Sequence, residues 1–300
     1  MTHMDSDEPT ALSRRQLLAA SGGAIAATSL TTISPLMANT TMTKKPVQIT
    51  QVRNATLVVE YANTKFLIDP LFAAQGAFPG FAGSASSQLA NPLVPLPIAQ
   101  EQLIAVDAVI VTHLHEDHWD AAASAALPKD MPLFAQNEED ADKIRNEGFT
   151  DVRVLTQQSQ FNGIGLCKTG GQHGTDATLD VIPLGEVCGV VFSHPQYATL
   201  YIAGDTIWND HVQTAIDSHQ PDAIVLNIGN AVFMGYDPII MGLEDAVAVH
   251  RAAPNAILIA SHMEAINHCI LSRQTLYDYA KANGFDTRLL IPADGETVSV

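Results

Sequence analysis

The sequence predicts an α/β protein whose sheets are covered by helices on their outer faces. Short β-rich runs open the chain from residue 47, later apolar runs alternate with helical segments, and each later run ends in polar side chains. Continuous apolar runs read as strands buried on both faces, and the helices between them are what covers those faces. No internal repeat competes with this reading.

Taken in order, residues 47–52, 55–61 and 65–68 are strands, separated by Arg53-Asn54 and by Ala62-Asn63-Thr64, spacings that suit hairpins. Residues 71–97 are punctuated by Gly76, Pro79, Gly80 and Gly83, then by Pro92, Pro95 and Pro97. This is a long loop, of the kind that forms a lid or a binding surface. Buried strands are predicted at residues 108–111, 199–203, 223–226 and 256–260, and helices at 120–127, 137–146, 210–218, 244–252 and 272–282. Residues 150–190, with glycines and short β-like runs, read as further sheet. In such folds chemistry gathers beyond the strand C-termini. Here those positions carry Thr112-His113, Gly204-Asp205, Asn227 and Ser261-His262.

With 47% apolar and 16% charged residues, the chain of 300 can bury a large core and is not a disordered segment. Fifteen basic against 32 acidic residues give a net charge of −17, which repels phosphate backbones, so no nucleic-acid partner is expected. Cys167, Cys188 and Cys269 are an odd number without CxxC spacing, so disulfides do not define the fold.

Ser13-Arg14-Arg15-Gln16-Leu17-Leu18 precedes a weakly apolar stretch, residues 19–33, containing Ser21-Gly22-Gly23. This resembles a twin-arginine (Tat) export signal. Residues 1–38 are therefore expected to be a signal peptide, cleaved near Ala38, and residues 39–300 the working domain in the periplasm or another extracytoplasmic space. The stretch is too weakly apolar to anchor in a bilayer, and no other span is apolar enough to cross one.

The strongest chemical signal is His113-Leu114-His115-Glu116-Asp117-His118, directly after the strand at 108–111. Imidazole and carboxylate are ligands for a divalent metal such as zinc, manganese or iron. A tight turn lets His113 and His115 serve one ion and Asp117 and His118 a second. Further ligands must come from elsewhere. His173 stands between glycines that permit close approach. Asp205 either caps the following helix or bridges two cations, and His262 or His268 supplies the last ligand.

HxHxDH, a downstream histidine, Gly-Asp-Thr and a strand-terminal histidine together resemble the metallo-β-lactamase superfamily. Asn54-Ala55-Thr56-Leu57-Val58-Val59-Glu60 and Phe66-Leu67-Ile68-Asp69-Pro70 resemble its ascorbate-6-phosphate lactonase-like branch. The resemblance implies a four-layer αββα sandwich with a two-metal cleft at the edge of its sheets. It implies His113, His115 and His173 on one metal, Asp117, His118 and His262 on the other, and Asp205 bridging, with zinc preferred and manganese or iron as alternatives. The implied function is a hydrolase in which hydroxide shared by two cations attacks a small ester, lactone or phosphoester. Asp117 would orient the water and shuttle its proton. His268, six positions beyond His262, departs from the superfamily's common pattern; with His262 as the ligand it would face substrate as a catalytic residue, support a ligand, or be a helix-capping or surface histidine. Asp69, Thr112 and Thr206 are expected to hydrogen-bond the ligands, and Phe78, Phe81, Trp119 and Trp208 to shape the pocket or pack in the core. The alternatives are a β-lactamase, a mononuclear-iron sulfur dioxygenase and a non-catalytic metal- or ligand-binding module. The partner expected is a small molecule, with homo-oligomerisation left open.

Overall fold

The computed structural model describes residues 44–300. The expected signal peptide, residues 1–38, lies outside the described residues. One seven-stranded sheet contains β1 (Gln48–Arg53), β2 (Thr56–Tyr61), β3 (Thr64–Ile68), β4 (Ala108–Val111), β5 (Leu133–Ala135), β6 (Val152–Val154) and β14 (Thr297–Ser299), in the order β14-β1-β2-β3-β4-β5-β6. The other contains β7 (Ser159–Phe161), β8 (Ile164–Gly170), β9 (Cys188–Ser193), β10 (Leu200–Ile202), β11 (Ala223–Asn227), β12 (Ile257–Ser261) and β13 (Leu289–Leu290), in the order β13-β12-β11-β10-β9-β8-β7. Each sheet is antiparallel along one half and parallel along the other. The change comes at β3, which pairs antiparallel with β2 and parallel with β4, and at β10, which does the same with β9 and β11.

Side-chain alternation sorts the layers. In β4, Ala108 and Ile110 enter the core between the sheets, where Val59, Tyr61, Phe66 and Ile68 meet Ile164, Leu166, Val190, Phe192 and Val225. Val109 and Val111 point the other way, onto helices α2 (Ala121–Ala126) and α3 (Glu138–Asn146) through Ala123, Ala141 and Ile144. On the far sheet, Tyr201, Ile224, Leu226 and Leu258 receive Val212, Ile216, Val249 and Leu276 of α5 (Asp210–His219), α6 (Leu243–Ala252) and α7 (Arg273–Ala282). Parallel strands covered on both faces must be apolar throughout, which is why they read as unbroken runs. The four layers, helix–sheet–sheet–helix, are those the sequence implied. Two short helices, α1 (Gln100–Leu103) and α4 (Asp176–Leu179), lie in connections.

Residues 71–97 have no strand or helix of their own, as expected, yet they are tied down. The fully buried Arg53 donates from Nη1 to Val94 O at 2.9 Å and from Nη2 to Leu71 O and Ala73 O at 2.8 and 2.9 Å. Asp120 caps α2 with one carboxylate oxygen, and with the other it accepts from Phe72 N and Ala73 N at 3.1 and 2.6 Å. The loop is thus anchored both to β1 and to Asp120, just beyond the turn that carries the histidines.

Candidate metal centre

Parallel strands deliver nearly every polar group of the site from their C-terminal ends. Asp69 follows β3, His113 follows β4, Asp205 follows β10, Asn227 ends β11 and His262 follows β12. Several of these positions need unusual backbone. Asp69 (φ 44°), Asn54 (φ 54°) and His262 (φ 59°) all occupy the left-handed region, which costs a non-glycine residue on the order of 1 kcal/mol. Bonds from Asp69 N to Ile110 O (2.9 Å) and from His262 N to Asn54 O (2.8 Å) hold two of them there. Gly204 (φ 71°) permits no side chain, because a Cβ would stand 2.3 Å from Cys188 O. The glycine of Gly-Asp-Thr is therefore required to pass Asp205 into the site.

Three overlapping groups have ligand atoms within 4.8 Å of one another: His113, His115 and His173; His113, His118 and Asp205; and Asp117, His118 and His262. Asp205 Oδ2 lies among four imidazoles, 3.1 Å from His118 Nε2, 3.5 Å from His173 Nε2, 3.6 Å from His262 Nε2 and 3.9 Å from His113 Nε2. Asp117 Oδ2 is 3.2 Å from His262 Nε2. The structure thus gathers all seven residues proposed as ligands, from both sheets, into one cluster, buried except for the half-buried His115. His268 does not belong to any of the three groups. Asp205 does not cap a helix; Asn209 caps α5 instead.

Outer hydrogen bonds fix which nitrogen of each ring faces inward. His173 Nδ1 is 2.8 Å from Ile239 O, a group that only accepts, so Nδ1 carries the proton and Nε2 a lone pair. His118 Nδ1 lies 2.8 Å from Asp69 Oδ2, which turns Nε2 inward. Thr112 Oγ1 donates to Asp69 at 2.7 Å and so accepts from His113 Nδ1 at 3.2 Å. The inward nitrogens then face one another: His113 Nε2 and His115 Nδ1 are 3.0 Å apart, and so are His118 Nε2 and His262 Nε2. At such distances a proton or a metal cation must lie between the nitrogens, and in the metal-free protein the raised His118 carries that proton toward His262; two carboxylates complete the donor set. The residues present fit a divalent metal centre.

The electrostatics agree. Burial, joined by the neighbouring His118 and His115, holds His113 well below its ordinary range, and burial carries His173 down to about 4. Burial alone would lower His118 as well, but Asp205, Asp69 and Asp117 outweigh it and carry that ring to about 10. Asp117 and Asp205, despite burial that opposes ionisation, are held far below the usual carboxylate range by His118 and His262. Both stay ionised, as ligands must.

A cavity of about 140 Å³ opens on the cluster, lined by Phe81, His115, Asp117, His173, Asp205, Phe233, Ile239 and His268 together with Glu116 and Leu184. No lysine or arginine is among these residues. The volume is close to that of an apolar cavity that accepts benzene.

The β-lactamase superfamily domain model matches residues 64–263. The UPF0173 protein YddR of Bacillus subtilis (strain 168) is 48% identical over 250 residues, which are 83% of this chain and 98% of that protein. The chain belongs to the metallo-β-lactamase superfamily, in the UPF0173 metal-dependent hydrolase family. Among solved structures, an isothiocyanate hydrolase from Delia radicum gut bacteria is 48% identical with a TM-score of 0.82, covering 84% of this chain and 100% of that one. A protein of Veillonella parvula DSM 2008, described as a possible metal-dependent hydrolase, is 40% identical with a TM-score of 0.83, covering 84% and 99%.

Within this UPF0173 fold the supporting residues divide. Asp69 and Thr112 touch the ligand rings, as sequence reading expected. Thr206 does not: its hydroxyl accepts from Gln172 N at 2.9 Å and donates to Ile207 O, so it binds the backbone beside His173 rather than a ligand. Of the aromatic candidates only Phe81 lines the cavity; Phe78 packs behind it, while Trp119 and Trp208 join the helix-side cores. Three contacts escaped sequence reading. Asn227 Nδ2 donates to Asp205 Oδ1 at 2.7 Å, Asn54 Nδ2 to Asp117 O at 3.0 Å, and Cys269 Sγ sits 3.3 Å from His262 Nδ1. Asn227 alone carried a usable signal, a polar residue ending an apolar strand.

Proposed function

We propose that this chain is a binuclear metal-dependent hydrolase of small, uncharged electrophiles, with isothiocyanates the first candidate class and small esters and lactones the next. The observation that carries the reading is the meeting of clustered imidazoles and carboxylates with a cavity of benzene size that Phe81, Leu184, Phe233 and Ile239 help to line and that holds no lysine or arginine. No lysine or arginine lines the cavity, so a phosphoester would have only the bound cations to offset its charge beside Asp117 and Asp205, which sets that class last. The 48% identity to an isothiocyanate hydrolase supports the first candidate, and the lactonase-like opening of the sequence keeps lactones in view.

His113, His115 and His173 would hold one cation, Asp117, His118 and His262 the other, with Asp205 between them. Two such cations supply Lewis acidity that makes water ionisable near neutral pH. The protein's own part is placement. Asp117, at the cavity wall, is ionised and placed to orient the attacking water. Phe81, Phe233 and Ile239 exclude bulk water and seat the apolar substituent. For an isothiocyanate, one water adds to the central carbon, and the thiocarbamic acid formed breaks down to an amine and carbonyl sulfide.

Elemental analysis combined with a panel of benzyl isothiocyanate, a phenyl ester, a γ-lactone, a phosphodiester and a β-lactam tests this reading. Two ions per chain and amine release from the isothiocyanate are expected. A single iron per chain, or turnover confined to the phosphodiester, overturns it. Arg14-Arg15 further supports export by the twin-arginine route; a Lys-Lys replacement at that pair is expected to trap the chain in the cytoplasm of a bacterial host.

A further inference from the structure

His268 is a buried imidazole that the metal centre does not use. It is 5% exposed, lies outside the three groups of clustered ligand atoms, and lines the cavity beside Phe81 and Phe233, whose ring centroids are 5.1 and 6.1 Å away. Its Nδ1 is sealed from solvent and lacks a hydrogen-bond partner. Among the described residues no hydrogen bond reaches Nε2 either, yet that atom is not among the sealed ones. A buried imidazole left without partners costs stability. A ligand in the cavity would satisfy it.

The next residue explains how the ring is held. Asn267 is buried, and its Oδ1 accepts from Asn91 Nδ2 at 2.8 Å and from Phe81 N at 3.2 Å. Its Nδ2 donates to Ser84 Oγ at 2.8 Å and Ala85 O at 2.7 Å, and its backbone N donates to Asn91 Oδ1 at 2.9 Å. One side chain thereby clamps the loop at residues 71–97, fixes Phe81 at the cavity and sets the turn from which His268 projects.

We propose that His268 is a catalytic residue whose Nε2–H donates a hydrogen bond to the substrate heteroatom that gains negative charge as water attacks, with Asn267 positioning ring and loop around it. This deepens the reading given under Proposed function and rests on it for the identity of the reaction. Burial carries the ring down to about 4, so it is neutral at working pH and offers one donor without an added charge. A donor aimed at developing charge inside a dry cavity acts chiefly on turnover rather than on ground-state affinity.

The test uses the full chain reconstituted with zinc, as wild type, His268→Phe, His268→Gln and His268→Asn. Each is assayed for turnover of benzyl isothiocyanate, metal content, and calorimetric binding of N-benzylthiourea, an unreactive mimic. Expected for His268→Phe are a roughly 100-fold fall in kcat, a KM within about threefold of wild type, and unchanged metal content. Glutamine, whose amide nitrogen can replace Nε2, is expected to recover about tenfold of that loss, and asparagine, which mimics Nδ1, none. A kcat for His268→Phe within about twofold of wild type overturns the proposal. So does a glutamine variant no better than phenylalanine, and so does loss of metal in step with activity, which would make His268 a part of the metal centre. A wild type that binds N-benzylthiourea in a His268-dependent way but hydrolyses no isothiocyanate overturns the reaction while leaving the contact standing.

Discussion

Asn227 Nδ2 donates to Asp205 Oδ1 at 2.7 Å, and this one bond turns the other carboxylate oxygen toward the four imidazoles. Without it the carboxylate can rotate about its last torsion and lose its place between the two triads. Asn227→Ala is therefore expected to lower metal affinity by about 10- to 100-fold, read by competition with a chelator. A change below about threefold would show that Asp205 holds its orientation unaided.

Asp69 collects three donors: Thr112 N and Thr112 Oγ1, each at 2.7 Å, and His118 Nδ1 at 2.8 Å. Asp69→Asn replaces an accepting oxygen with an NH₂ group facing donors. A loss of about 2 kcal/mol in urea unfolding is expected, together with reduced metal content. Retention of both would remove Asp69 from the support of His118.

The metal-stripped protein is expected to be most stable near pH 6.5. His118, raised from the ordinary 6.5 to about 10, contributes stability that is complete below 6.5 and is lost as pH rises through 10. His173 and His268, both lowered to about 4, act in the opposite window; their contribution is complete above 6.5 and is lost as pH falls toward 4. Thermal melts across pH 4 to 10 after chelation check this, and a monotonic rise in melting temperature with pH contradicts it. Zinc added at pH 8 to the stripped protein in weak buffer is expected to release about one proton from the His118–His262 pair.

Phe233 lines the cavity together with Phe81. Phe233→Ala is expected to raise kcat/KM for a naphthylmethyl electrophile relative to its benzyl counterpart by about tenfold. Equal loss on both substrates would place the recognition of size elsewhere.

What could be seen in the sequence was whatever local spacing encodes. His113 to His118 is a turn whose composition announces ligands. Asp120, Asn137 and Ser272 mark helix starts to within a residue, because capping chemistry is local. The three-residue strands β5 and β14 went unseen, being too short to show a period. The roles of Asn54, Asn227 and Asn267 were hidden for a different reason. An asparagine in a turn is common, and only contacts with residues distant in the chain distinguish a clamp such as Asn267 to Ser84 from ordinary turn chemistry. Thr206 shows the converse, since its place beside Asp205 suggested a contact that the direction of its hydroxyl does not make.

His113, His115, Asp117 and His118 hang from one sheet, and His173, Asp205 and His262 from the other. Metal seated among them would fasten the two halves of the polypeptide across their shared edge, so opening either half would mean releasing cargo. Amide protons in β4 and β12 are then expected to exchange with deuterium as one cooperative unit in the loaded protein and as two separate units once it is emptied.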